Sequence, residues 1–200
     1  MNDQEISHKG KLKALQKDLP PSLEPIIGAH ISRNDLSDIE RIMLACDGTF
    51  TFQLEAFFRE TIEVDILHFA KFPLGKNTAN FLKTSSKRDV WDRMVLLRGA
   101  QSKKPYVFAR SHIDIDRLPV ELQQDLKTSP AGLGRLFVDY RLSIYRQLLG
   151  FYFEDGSQYQ HLFADRKDLS FLARVYRVYF VDKPVMLITE MMPRDLFTKI

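Results

Sequence analysis

Apolar runs of strand length, separated by turn residues, fill the chain from about residue 60 onward. Ile62, Val64, Ile66 and Leu67 mark a strand at about 61–72. Further strands fall at 90–98 and at 105–115, the latter through Tyr106, Phe108, His112 and Ile113. Gly99-Ala100-Gln101-Ser102-Lys103-Lys104 joins these two as a hairpin loop rich in turn residues. Segments 135–153 and 171–181 read as two more strands, 154–170 as a polar loop, and Lys183–Pro193 as the last strand. Ahead of the strands, Leu36, Ile39, Ile42, Met43 and Cys46 form one stripe at helical spacing. Ser32, Asn34 and Asp35 are candidate caps, and Asp47-Gly48 is the stop. Thr49 or Thr51 caps a short helix through Leu54, Phe57 and Phe58. Leu118-Pro119 opens another through Leu122 and Leu126. Residues 1–34 read as a polar segment, partly helical or flexible, before a domain at 35–200. Successive hairpins with few helices predict an α+β fold built on a single antiparallel sheet with covering helices. No internal repeat is visible in the residue identities.

Two strands break their own pattern. Trp91-Asp92-Arg93-Met94-Val95-Leu96-Leu97 places Arg93 on a face with Trp91, Val95 and Leu97. Lys183-Pro184-Val185-Met186-Leu187-Ile188-Thr189-Glu190-Met191-Met192-Pro193 places Glu190 with Met186, Ile188 and Met192. A lone buried charge costs several kcal/mol unless it is paired. Two opposite charges in two such strands predict either a structural Arg–Glu bridge or one small polar site inside an apolar enclosure.

Composition narrows the classes. The chain has 200 residues, enough for one domain with a real core. A net charge of +3 with scattered Lys and Arg gives no nucleic-acid footprint, although it favours anionic small molecules. The single cysteine, Cys46, read as a small core residue, excludes an intramolecular disulfide and a Cys-type zinc cluster. His8, His30, His68 and His161 show no metal-ligand spacing. No basic-then-apolar leader or membrane-length apolar run is seen, which sets a cytoplasmic expectation with no membrane insertion. His112, Arg110 and Arg135 read as half-exposed or surface residues.

Several segments together resemble the chorismate pyruvate-lyase family in its divergent bacterial branch. They are Asp47-Gly48-Thr49-Phe50-Thr51, the Arg93 strand, Phe108-Ala109-Arg110-Ser111 through Asp116-Arg117-Leu118-Pro119, Gly132-Leu133-Gly134-Arg135, Arg174-Val175-Tyr176-Arg177, and the Glu190 strand. Gly132 stands where that family usually has proline. The resemblance implies an antiparallel sheet whose helices enclose a buried ligand cavity. It implies conversion of chorismate to 4-hydroxybenzoate and pyruvate, without cofactor or metal. The implied partners are therefore a small-molecule substrate and its aromatic product.

By the same resemblance Arg93 grips the ring carboxylate through its bidentate fork. Glu190 serves the ring-hydroxyl end as acid or hydrogen-bond acceptor. Phe50, Thr51, Ala109, Gly132 and Leu133 line the pocket, with Leu133 packing on the ring. Arg174 and Arg177 fall on opposite faces of one strand, so at most one faces the cavity. Arg177 is the candidate for the second carboxylate. The same fold also serves ligand-sensing domains of transcription regulators, so a non-catalytic aromatic-acid binding module and a related lyase acting on another aromatic precursor remain open readings.

Overall fold

The computed structural model describes residues 35–46, 48–74, 76–85, 89–129, 131–166 and 169–197. The expected polar segment at 1–34 lies outside them. Six strands form one sheet in which every neighbouring pair is antiparallel: β1 (Ile62–Pro73), β2 (Asp89–Gly99), β3 (Pro105–Ile113), β4 (Ile144–Asp155), β5 (Ser170–Phe180) and β6 (Lys183–Pro193). Their spatial order is β1-β2-β3-β6-β5-β4. The fold class is α+β, as the hairpin pattern predicts.

Among the described residues, five α-helices accompany the sheet: α1 (Asp38–Ala45), α2 (Phe50–Phe58), α3 (Lys76–Phe81), α4 (Val120–Thr128) and α5 (Leu133–Asp139). α1 starts at a capping box that the cap reading at 32–35 missed. The Ser37 hydroxyl accepts from the Glu40 N–H at 3.2 Å, and the Glu40 carboxylate accepts from the Ser37 N–H at 2.7 Å. Buried Glu40 also takes the Arg194 guanidinium at 2.7 Å, which ties α1 to the chain's end. Ile42 and Cys46, expected in the core stripe, are exposed. An eight-residue helix turns only part of its surface inward, and Met43 and Leu44 occupy that part.

Two further differences matter. The stretch from 135 is not strand: Leu133–Asp139 is a helix, and β4 begins only at Ile144. Leu133, Leu136, Phe137 and Tyr140 recur at helical spacing, and this stripe packs against the sheet. α3 was not anticipated, because Lys76–Phe81 is short and polar.

The sheet is also a repeat in its backbone. Two meanders, β1-β2-β3 and β4-β5-β6, meet at the β3–β6 seam. Each outer ladder carries a register shift in mid-strand, at Ile66/His68 in one and Leu148/Gly150 in the other. Each hairpin ladder carries one near its turn, at Leu97/Arg98 and at Val178/Tyr179. Aligning the shifts makes Arg93 correspond to Arg174, Val95 to Tyr176, Ser111 to Glu190 and Val64 to Arg146. The seam obeys the same two-fold, since Ala109 pairs with Glu190 and Ser111 with Ile188. Few residue identities are shared between the halves, Arg93 with Arg174 among them, so composition and motif gave no sign of the repeat.

Both faces of the sheet are covered. α3 and the turn-rich tract 157–166 cover one face over a cluster that includes Leu82, Phe108, Phe163 and Phe171. α1, α2, α4 and α5 cover the other. The pocket lies on this second face, beneath α2 and α5.

Candidate active site

Two cross-strand rows make the pocket floor. One runs Ile66–Val95–Ala109–Glu190–Arg174–Phe151, and the next runs Phe69–Arg93–Ser111–Ile188–Tyr176–Leu148. Arg93 and Glu190 are thus two strands apart, about 10 Å across the sheet, and offset by one same-face step of about 7 Å. Ala109 lies between them and keeps the floor low. Phe50 and Thr51 at the start of α2, and Gly132, Leu133, Gly134 and Phe137 around α5, form the roof.

Arg93 is 1% exposed. Its Nε and Nη2 have no hydrogen-bond partner, and no ion pair with a described carboxylate forms. Burial alone pulls its pKa down to about 10, so it stays charged at neutral pH. The floor beside it is Ser111, which brings no charge.

Glu190 is held differently. Its Oε2 accepts from Arg174 Nε at 2.6 Å and its Oε1 from the Tyr176 hydroxyl at 2.9 Å. Arg174 Nη1 also donates to the backbone carbonyls of Met43 (2.7 Å) and Cys46 (3.2 Å), at the C-terminal end of α1, where the helix dipole favours a cation. Its guanidinium lies 4.2 Å from the Phe50 ring centroid. Burial works against the charge on Arg174, but Glu190 and its other neighbours outweigh burial and raise its pKa. Burial, reinforced by the Glu190 charge, pushes the Tyr176 hydroxyl well up, so Tyr176 is a proton-bearing donor to Glu190.

Arg93 and Glu190 therefore face one cavity without bridging each other. Phe50, Thr51, Ala109, Gly132 and Leu133 line it with them. Arg177 does not: it is on the other face of β5, where Nη1 donates to Gln147 Oε1 (3.2 Å) and to the Tyr179 hydroxyl (2.9 Å). The reason is register, because Arg174 pairs with Glu190 and Arg177 stands an odd number of residues away. Arg110 and His112 share that other face. Arg110 makes a two-pronged bridge to Asp92 at 2.9 and 3.0 Å. Arg135 is exposed beside Phe52.

Sequence reasoning missed Arg146, Tyr176, Ser111 and Phe137, all in the lining. The helical spacing at 133–140 could have indicated Phe137. Gly132, the departure from the usual proline, has a φ of −66°, which proline could adopt. However, a Cβ there would stand 2.9 Å from Thr51 Oγ1. Glycine lets the roof helix settle onto α2.

A single antiparallel sheet with helices over it encloses a pocket whose buried arginine, Arg93, has no described carboxylate beside it. Solved structures share this fold. The effector domain of PhnF from Mycobacterium smegmatis superimposes with a TM-score of 0.58 at 11% identity, over 74% of this chain and 90% of that one. A putative regulator from Escherichia coli CFT073 gives 0.53 at 14% identity, over 65% and 94%. Sequence goes further: the profile of the Rv2949c-like chorismate pyruvate-lyases matches residues 44–199, and the chain belongs to that family. It is 26% identical over 161 residues to the chorismate pyruvate-lyase of Mycobacterium tuberculosis H37Rv, covering 78% of this chain and 80% of that protein. It is 25% identical over 174 residues to the chorismate pyruvate-lyase of Mycobacterium leprae, covering 84% and 81%.

Proposed function

We propose that the protein is a chorismate pyruvate-lyase that releases pyruvate from chorismate and leaves 4-hydroxybenzoate. The observation that carries the reading is Arg93, a buried guanidinium turned to the pocket with Nε and Nη2 unsatisfied. Such a group calls for a carboxylate from the ligand. In this reading Arg93 holds the ring carboxylate, Leu133 packs on the ring, and Glu190 meets the ring hydroxyl.

The reaction breaks the ring C–O bond to the enolpyruvyl ether. The adjacent ring carbon loses its proton, the ring becomes aromatic, and the enolpyruvyl methylene gains a proton to become pyruvate. Water, electrons and group donors are neither consumed nor made, so the chemistry asks the protein for orientation, desolvation and proton placement. Glu190 is fixed for this by Arg174 and Tyr176.

The test is incubation with chorismate and quantitation of both products. Pyruvate and 4-hydroxybenzoate should appear in equal amounts, well above the spontaneous background, and a chelator should leave the rate unchanged. The second reading, a non-catalytic aromatic-acid binding module, is favoured by the likeness of fold to the effector domain of PhnF. Folded protein that binds 4-hydroxybenzoate but releases no pyruvate would establish it instead.

A further inference from the structure

We propose that Arg177 and Lys83 form a second anion site, on the face of the sheet opposite the pocket, which takes a small oxyanion: a phosphate or a carboxylate group. The site stands apart from the reaction proposed above.

Arg177 is the starting point. Three arginines are buried among the described residues: Arg93, Arg174 and Arg177. Glu190 answers Arg174, and Arg93 faces the pocket. Arg177 is 7% exposed, and no described carboxylate forms an ion pair with it. Its Nη1 donates to two neutral oxygens, Gln147 Oε1 at 3.2 Å and the Tyr179 hydroxyl at 2.9 Å, and its Nε is buried without a partner. A buried donor on a charged group is expensive to leave unmade. The cross-strand row Gln147–Arg177–Leu187–His112–Asp92 does hold a buried carboxylate. Asp92 is three strand spacings away, about 14 Å at the backbone, and both its oxygens accept from Arg110.

Lys83 supplies the second charge. It follows α3, at the end of the sheet where Arg117 ties Thr84 to Pro184. Arg117 Nη2 donates to Thr84 Oγ1 at 3.2 Å, and its Nη1 donates to the Pro184 carbonyl at 2.6 Å. Pro184 pairs with Tyr179. The Lys83 ammonium thus reaches the same Tyr179 hydroxyl as Arg177 and stands 5.5 Å from the ring centroid. No described carboxylate forms an ion pair with Lys83 either. One neutral oxygen therefore lies between a guanidinium and an ammonium. Burial works against a phenolate at Tyr179, but the hydrogen bonds and charges of Arg177 and Lys83 outweigh it and lower the pKa. That lowering reports a positive field at the oxygen.

The site is open on one side. Lys83 is exposed and Gln147 and Tyr179 are half-buried, with Arg177 beneath them. A planar fork at the base and a point charge at the rim suit phosphate and carboxylate oxygens alike.

Amide NMR titration of the full chain, with inorganic phosphate and separately with acetate at constant pH and ionic strength, tests the site. The resonances of Lys83, Gln147, Arg177 and Tyr179 should shift and saturate, with a Kd of about 1 mM for the better anion. Occupancy of the pocket is read separately, at Ala109 and Ser111. Lys83→Gln, an exposed change, should weaken binding about tenfold, and Lys83→Arg should hold it within about threefold. Arg177→Gln should abolish it. Phosphate ahead of acetate assigns the site to phosphoryl groups, and the reverse order assigns it to carboxylates; either order upholds it. The proposal is overturned if neither anion shifts these four resonances saturably, or if Lys83→Gln binds as tightly as wild type.

Discussion

Arg93 sits where a charged side chain is expensive to keep. Its pKa of about 10 corresponds to roughly 3 kcal/mol of unfavourable burial. A structural arginine would be neutralised, as Arg174 is by Glu190. Arg93→Met keeps the length and apolar packing of the side chain and removes the charge. Thermal unfolding of this variant should show a Tm equal to or above wild type, while affinity for 4-hydroxybenzoate falls at least about a hundredfold. A lower Tm with binding retained would make Arg93 structural. Arg93 and Glu190 were legible in the sequence because each is the lone inward charge in an apolar run of period two. Arg174 and Arg177 were not separable. The run Phe171–Phe180 is apolar on both faces, and only its register with β6 decides which arginine looks into the pocket. Arg146 escaped because the run before it was misread as strand, so its face could not be assigned.

At the scale of elements, the strands were legible and the short helices were not. Hairpins announce themselves through alternation and turns, whereas α5 has one turn of apolar stripe and α3 has less. The β2–β3 hairpin also depends on a partner far away in sequence. Glu60, between α2 and β1, accepts from the Ser102 N–H at 3.0 Å, from the Ser102 hydroxyl at 2.7 Å and from the Tyr106 hydroxyl. The Ser102 backbone donor, then the Tyr106 and Ser102 hydroxyls, lower its pKa from 4.5 to about 2. A carboxylate depressed by folding contributes stability above its unfolded pKa, and that contribution fades as pH falls from about 4.5 toward 2. Glu60→Gln should therefore unfold at a lower temperature than wild type at neutral pH. The gap should close over that acid window in a series of melting curves. A gap that is constant with pH would mean the clasp is not electrostatic.

For the molecule as a whole, the two-fold turns one half of the sheet into a control for the other. Glu190 stands by Arg174 as a ligand carboxylate would stand by Arg93, and Ser111 holds the vacant counterpart of Glu190. Ser111→Glu should supply the missing acid from within the chain. It should raise the Tm and abolish binding of aromatic acids, while Ser111→Gln, equal in size, blocks binding without the gain in stability. If the two variants melt alike, Arg93 is not the seat of the strain. The seam has a further consequence for how the chain acquires this structure. Each meander forms between near neighbours, but β3 meets β6 across some 80 intervening residues, and such long closures come late. Arg93 arrives with one meander and the Glu190–Arg174 pair with the other, so the cavity exists only once the two have docked. On the proposed function, an aromatic acid would recognise the finished sheet but neither half of it. In rapid-mixing experiments 4-hydroxybenzoate should slow unfolding and leave the refolding rate unchanged, because the ligand holds shut a joint that it has no means of bringing together.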